Sequence, residues 1–263
     1  EKYPEGAILS IANRRTINGV EVADVRVNYY VMIGAEDQYF WMGTDYLGRD
    51  LFTRLFVGAR ISLVIAFLSV MINIMIGVVY GAVAGYYGGK VDMIMMRIAE
   101  VIGSVPNIAI VTMFILFFGT GMLSVVLALV IQGWISTAQL IRAQFYRFKG
   151  REYVLAARTL GVRDCILIFR HILPNSIGPI ITTAMISIPS AIFSESFLAY
   201  IGLGIKAPLV SIGVLLSDAQ KTLLQLPYQT FFPAVLISVL MIAFNMFANG
   251  LRDAFDPARR GEE

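Results

Sequence analysis

The chain has 263 residues, of which 57% are hydrophobic and only 15% charged, and its formal net charge is +3. An ordinary soluble domain has about 25% charged residues, and so small a net charge does not indicate a nucleic-acid-binding protein. The chain has a single cysteine, Cys165, which excludes an internal disulfide. It also has a single histidine, His171, and one cysteine with one histidine argues against a zinc site within the chain.

Residues 1–57 differ in composition from the rest of the chain, because they hold 8 acidic and 6 basic side chains. Between residues 20 and 31 apolar and polar side chains alternate, which predicts a β-strand. We therefore expect a small strand-containing segment that precedes the first membrane span.

Long stretches without charge follow, and they predict helices that cross a membrane. The gap between Arg60 and Lys90 has 29 residues, and the gap between Glu100 and Arg142 has 41. About 20 apolar residues cross a bilayer core of about 30 Å, so the longer gap holds two spans, joined by a turn at residues 119–121. An all-α integral membrane protein is predicted, with five spans at about residues 61–86, 101–118, 122–141, 177–200 and 230–249.

The basic residues predict the orientation of these spans, since cytoplasmic loops carry an excess of lysine and arginine. The loop of residues 142–175 holds seven basic side chains and two acidic ones. We therefore expect this loop and the tail, residues 253–263, to be cytoplasmic, and residues 1–57 to lie outside. An outer segment of this length implies a span upstream of it, so we expect six spans in the full-length protein.

Three features within the spans are candidates for packing or for function. Gly77, Gly81 and Gly85 recur every four residues, which allows close packing of another helix or, as an alternative, a sliding contact. Pro106, Pro179 and Pro189 lie in or at the edges of spans, and each can kink a helix. Glu195, the only acidic residue within a span, either lines or gates a path, or forms a structural hydrogen bond or reaches the outer surface.

The cytoplasmic loop has the pattern of a projecting helical turn. Residues 152–160 favour a helix, and Gly161 is a natural helix end. Residues 162–173 favour a second, apolar helix, which Pro174 is expected to end. Such a knuckle between two spans is either a solvated loop or a docking element for a partner.

The knuckle contains Ala156, Ala157, Gly161, Leu173 and Pro174 at characteristic spacings. In these residues it resembles the coupling motif of permease subunits in binding-protein-dependent ABC importers. It departs from the motif at Leu155, where glutamate is usual, and at His171, where isoleucine is usual. Further segments resemble the peptide and nickel branch of that family, namely residues 43–50, 54, 58–63, 195–204, 207–208, 215–220 and 249–257.

The resemblance implies a type I ABC importer transmembrane domain over residues 58–252, within a bacterial or archaeal cytoplasmic membrane. It also implies a second homologous permease subunit, two ATPase subunits that hold ATP and magnesium, and an extracytoplasmic solute-binding protein. Di- and oligopeptides are the expected cargo. The chain itself would hold no catalytic residue, metal or cofactor, and would contact lipid but no nucleic acid. The residues implied in coupling to the ATPase are Glu152, Tyr153, Ala156, Ala157, Gly161, His171 and Pro174.

Several alternatives stay open at this point. Nickel or another small solute is an alternative cargo within the same branch. A stand-alone channel or secondary transporter would need ionisable residues in several spans, and the spans contain only Glu195. An intramembrane enzyme would need a catalytic set within the spans. The Gly89-Lys90 pair lacks the remaining residues of a phosphate-binding loop, so energy from ATP would have to come from another chain.

Overall fold

A computed structural model describes residues 4–17, 19–32, 34, 38–206 and 208–255, except for the side chains of Tyr29 and Phe255. Its contacts divide the chain into two compact units, Glu1–Arg54 and Leu55–Glu263. Residues 256–263 of the predicted cytoplasmic tail lie outside the described residues, as does Ala207 of one family-like segment.

The first unit contains an antiparallel hairpin of β1 (Ile8–Ile17) and β2 (Val20–Val27), followed by the short helix α1 (Tyr29–Met32). The alternating segment thus forms a strand only as far as Val27, and its end is helical. Strand β1 was not predicted from the sequence. It is exposed along its whole length, and a strand without a buried face need not alternate apolar and polar side chains.

Two aspartates organise the end of the first unit. The Oδ1 atom of Asp45 accepts hydrogen bonds from the backbone N–H groups of Leu47 and Arg49, both at 2.9 Å. Asp50 precedes the long helix α2 (Leu51–Tyr87) and accepts the backbone N–H of Thr53 at 3.0 Å. This is the geometry of a helix N-cap, and it explains why the helix begins there.

Among the residues that the structure describes, four helices are long and apolar enough to cross a membrane by themselves: α2, α5 (Met122–Phe148), the run Asp164–Tyr200 that ends in α8 (Ile177–Tyr200), and α10 (Tyr228–Phe255). A fifth crossing is possible where α3 (Gly89–Gly103) and α4 (Asn107–Phe118) form a pair bent by 76°. Short helices α6 (Glu152–Thr159), α7 (Asp164–Ile166) and α9 (Ile212–Gln220) lie between the long ones.

The segment predicted as one span at residues 101–118 is divided, because the helix breaks at residues 104–106. Pro106 cannot donate a backbone hydrogen bond, and it disfavours the helical conformation of the residue before it. Carbonyls freed by the break are bound from α5, where Gln132 Nε2 donates to the oxygens of Ile102 at 2.9 Å and Val105 at 2.6 Å. With 12 residues, α4 is about 18 Å long, too short to cross a bilayer core without α3.

Pro174 does not end the second helical stretch of the loop, contrary to the prediction. The helical run widens into a π-helical turn at Leu167–Ile172, narrows into a 3₁₀ turn at Leu173–Ser176 and continues as α8. The side chain of Asn175 donates to the carbonyl of His171 at 2.7 Å. Since this side chain binds the carbonyl three residues before the proline, which Pro174 cannot bind for lack of an N–H group, the helix continues at a tolerable cost.

Candidate functional site

The knuckle predicted between the spans consists of α6, a turn at Gly161 and the following helical run. Gly161 has a φ of +78°, a left-handed conformation that glycine adopts at little cost. The N–H of Val162 donates to the carbonyl of Ala157 at 3.2 Å, and the N–H of Gly161 donates to the carbonyl of Arg158 at 3.0 Å. These two bonds form a Schellman motif, so the turn has one defined shape.

Helix α6 has two different faces. Val154 and Ala157 are buried in a cluster with residues of α2, α5 and the π-helical turn. Leu160, directly after the helix, is 84% exposed. Exposed together with it are the predicted coupling residues Glu152, Tyr153, Ala156 and Gly161, and also Leu155.

The remaining predicted coupling residues lie beside this outward face. Asn175 donates a hydrogen bond to the hydroxyl of Tyr153 at 3.2 Å as well as to the carbonyl of His171. The His171 side chain is half-buried, and Pro174 is exposed. Asn175 therefore links Tyr153 to His171. The sequence pattern did not single out Asn175, although it directly follows the Leu173-Pro174 pair of the motif.

The surface of the knuckle is rich in positive charge. Arg151, Arg158 and Arg163 are exposed around α6. The acidic residues of the loop are Glu152, at the start of α6, and Asp164, at the start of α7. An acidic partner surface would therefore be attracted to the knuckle.

Gly77, Gly81 and Gly85 bring α2 against α5. A Cβ atom at Gly81 would lie 2.3 Å from the carbonyl oxygen of Ala138, and one at Gly85 would lie 2.7 Å from the Cβ of Phe145. Real Cβ atoms do not approach so closely. The glycine face is thus a close helix contact that ends next to the knuckle.

A polar network joins α3 to the C-terminal end of α5. The guanidinium group of Arg142 binds both carboxylate oxygens of Asp92, at 2.5 and 2.6 Å, and the Tyr146 hydroxyl donates to the same carboxylate at 2.9 Å. Bidentate pairs of this kind are geometrically specific. Lys149 follows α5, and burial lowers the pKa of its amine, an effect that nearby Asp92 partly offsets.

Glu195 is fully buried in α8. Its Oε2 atom accepts a hydrogen bond from Ser62 of α2 at 2.8 Å, and Ser196 lies 3.5 Å away. The Ser62 hydroxyl also accepts the backbone N–H of Ile212, the first residue of α9, at 3.2 Å. Other helices of the chain cover the carboxyl group, which agrees with a structural hydrogen bond, and a lining or gating role of Glu195 in the path stays a prediction.

Comparison with known proteins gives a match along most of the chain. Residues 77–261 match the family model of the binding-protein-dependent transport system inner membrane component. The chain is 44% identical to the oligopeptide transport system permease protein OppC of Bacillus subtilis (strain 168), over 84% of this chain and 72% of the relative. It is 45% identical to the dipeptide transport system permease protein DppC of the same organism, over 84% and 69% of the two chains.

The structure is similar to solved transporter structures at low sequence identity. The MetNI methionine ABC transporter in inward-facing conformations has a TM-score of 0.65 at 16% identity, with 77% of this chain and 96% of that chain covered. An amino acid ABC transporter crystallised with histidines has a TM-score of 0.54 at 19% identity, with 80% and 94% covered. At these identities the likeness concerns the fold alone, and it confirms the predicted fold class.

Proposed function

Since the chain belongs to the family of binding-protein-dependent transport system inner membrane components, we propose that it is the permease subunit of an ATP-driven importer of di- and oligopeptides. The names of its relatives support this cargo, because oligopeptide and dipeptide permeases are 44% and 45% identical to it. Nickel or another small solute is the alternative within the same branch. A stand-alone channel or secondary transporter has less support, because the five spans predicted from the sequence contain a single acidic residue, Glu195, and its side chain is buried and hydrogen-bonded.

The knuckle is the contact with an ATPase subunit in this proposal. Leu160 is 84% exposed, and Tyr153 and Leu155 are exposed as well. Exposed apolar groups clustered on one short element are typical of an interaction surface. Arg151, Arg158 and Arg163 surround them, so the ATPase would present an apolar groove with an acidic rim. Leu155, at the position where glutamate is usual, would contact the groove by apolar packing instead of by charge.

The complex would contain a second, homologous permease and two ATPase subunits that bind ATP and magnesium. Closure of the ATPases would move the two knuckles together and shift the spans between two states, as a switch of this kind requires. An extracytoplasmic solute-binding protein would deliver the peptide to the outer segments, residues 1–57 and 202–229. The knuckle and the C-terminal end would be cytoplasmic, in agreement with the seven basic residues of the loop.

The docking role is tested by substitution at Ala156, which is exposed on the outward face of α6. Ala156→Trp places a large ring where the ATPase would approach, without changing the buried face, and Ala156→Ser is the small control. We expect the ATPase to copurify with the Ser variant and to be lost from the Trp variant, together with peptide uptake. Copurification and uptake at the normal level in the Trp variant would contradict docking at α6.

A further inference from the structure

The cytoplasmic end of α2 contacts the knuckle on both sides of α6. Consecutive residues of this helix, Gly85 and Tyr86, bind Lys149, three residues before α6, and Asp164, at the first position of α7. The loop that leaves α5 and returns as α7 is therefore attached to α2 where it begins and where it ends.

The first attachment is a charged hydrogen bond at a helix terminus. Gly85 lies in the last turn of α2, which ends at Tyr87, and carbonyls in the last turn lack partners within their own helix. The Lys149 amine donates to the Gly85 carbonyl at 2.9 Å and lies 3.9 Å from the centre of the Tyr146 ring. A cation at this position also interacts favourably with the helix dipole.

The second attachment lies on the other side of α6, at the start of α7. The Tyr86 hydroxyl donates to Oδ1 of Asp164 at 2.5 Å. The Tyr86 ring is 6% exposed and belongs to the buried cluster that includes Val154 and Ala157 of α6. The guanidinium carbon of Arg158 lies 5.3 Å from the centre of the same ring, a distance at which cation–π attraction operates.

The knuckle is joined along the chain to α5 and to the helical run that ends in α8, whereas α2 holds it only through these non-covalent contacts. A hinged knuckle could move without α2, whereas a knuckle attached at two points cannot. The glycine face of α2 also packs directly on the backbone of α5. Packed helices of this kind transmit displacement because they have little room to deform.

We propose that Tyr86 and Lys149 are positioning residues that clamp the knuckle to α2, so that α2 moves together with the knuckle when the ATPases close. This inference rests on the proposed function, and it adds that coupling passes through α2 and not only through the helices adjoining the knuckle. With the clamp released, the ATPase still binds and hydrolyses ATP, but fewer hydrolysis cycles change the state of the spans.

The test compares Tyr86→Phe and Lys149→Met, each of which removes a hydrogen-bond donor, with Tyr87→Phe in the full complex with its partners, reconstituted in proteoliposomes. Tyr87 is the exposed neighbour of Tyr86 on α2, so it is a matched control. The quantity measured is peptide taken up per ATP hydrolysed. Each clamp variant is expected to lower this ratio about fivefold, the factor that corresponds to one lost hydrogen bond, and Tyr87→Phe to leave it unchanged.

A structural defect alone would reduce the amount of complex but not the uptake per ATP. An unchanged ratio in both clamp variants, with the ATPase still bound, would overturn the clamp. A ratio lowered equally by Tyr87→Phe would overturn it as well. Failure of the ATPase to copurify even with the unmodified chain would contradict the proposed function instead, so the two failures are distinguishable.

Discussion

The hydroxyl of Ser62 donates a hydrogen bond to the carboxyl group of Glu195 at 2.8 Å, across 133 residues of sequence. The same hydroxyl accepts the backbone N–H of Ile212 at 3.2 Å. One serine therefore joins α2, α8 and α9. Glycines bring these helices close together, since a Cβ at Gly213 would lie 2.5 Å from the Cα of Ser196.

Removal of this hydroxyl is expected to destabilise the chain. Ser62→Ala leaves a buried carboxyl group and a backbone N–H without their shared partner, at a cost of about 1–3 kcal/mol. Ser190→Ala is the control, because Ser190 is exposed on α8 and bonds only within its own helix, to the carbonyl of Ile186 at 3.2 Å. The midpoint of thermal unfolding in detergent should fall for Ser62→Ala alone, and equal midpoints would contradict the structural role.

The glycine face of α2 should not tolerate a single added methyl group. Gly81→Ala would place a Cβ 2.3 Å from a backbone carbonyl oxygen of α5, so the helices would have to separate, at a cost of about 1–3 kcal/mol. Gly250→Ala is the control, because Gly250 also lies within a helix, α10, but an added Cβ there would meet no atom within 4 Å.

In thermal unfolding we expect Gly81→Ala to lower the midpoint. Gly250→Ala should leave the midpoint unchanged or raise it, because alanine favours a helix over glycine by about 1 kcal/mol. Equal effects of the two changes would show that α2 and α5 are not in close contact.

The turn after α6 should depend on the left-handed conformation of Gly161, whose φ is +78°. Gly161→Ala costs about 1–2 kcal/mol of conformational strain, whereas Gly161→Asn should cost less because asparagine tolerates this conformation. Hydrogen exchange of the backbone amides of α6 reports the change. We expect the amides of α6 to exchange fastest in Gly161→Ala, more slowly in Gly161→Asn and most slowly in the unmodified chain.

Gly150→Ala is the control for this series, because Gly150 lies just before α6 and a Cβ there meets nothing within 4 Å. Its exchange rates should equal those of the unmodified chain. If alanine at position 161 exchanged as slowly as glycine, the Schellman turn would not determine the shape of the knuckle.

The sequence alone was sufficient to predict the helix at residues 152–160 and its end at Gly161. Both features depend on neighbouring residues only, because a glycine in the left-handed conformation commonly ends a helix. The apolar spans were equally visible, because hydropathy over about 20 residues depends little on tertiary contacts.

What the sequence could not reveal depends on contacts between distant residues. The bend between α3 and α4 needs the side chain of Gln132 to bind two freed carbonyls, and Pro106 alone does not indicate whether a helix kinks or breaks. The passage of a helix through Pro174 depends on Asn175. Likewise, no sequence pattern indicates that Tyr86 contacts Asp164, 78 residues further along the chain.

The orientation of the knuckle is testable at Cys165, the single cysteine of the sequence, which is exposed. A membrane-impermeant maleimide should label it in inverted membrane vesicles and not in intact cells. Cys165→Ser, which should remove the signal, shows that the label is at this residue. Equal labelling in intact cells would place the knuckle outside the cytoplasm and contradict the orientation proposed here.

The most direct test of ATPase coupling is photo-cross-linking from Leu160, which is 84% exposed at the end of α6. Benzoylphenylalanine replaces Leu160 in one chain and Leu224 in another, since Leu224 is fully exposed but lies in the loop between α9 and α10. Irradiation of the complex should join the ATPase to position 160 and not to position 224. A complex that retains its ATPase yet gives no cross-link at position 160, or gives an equal one at position 224, would contradict the account.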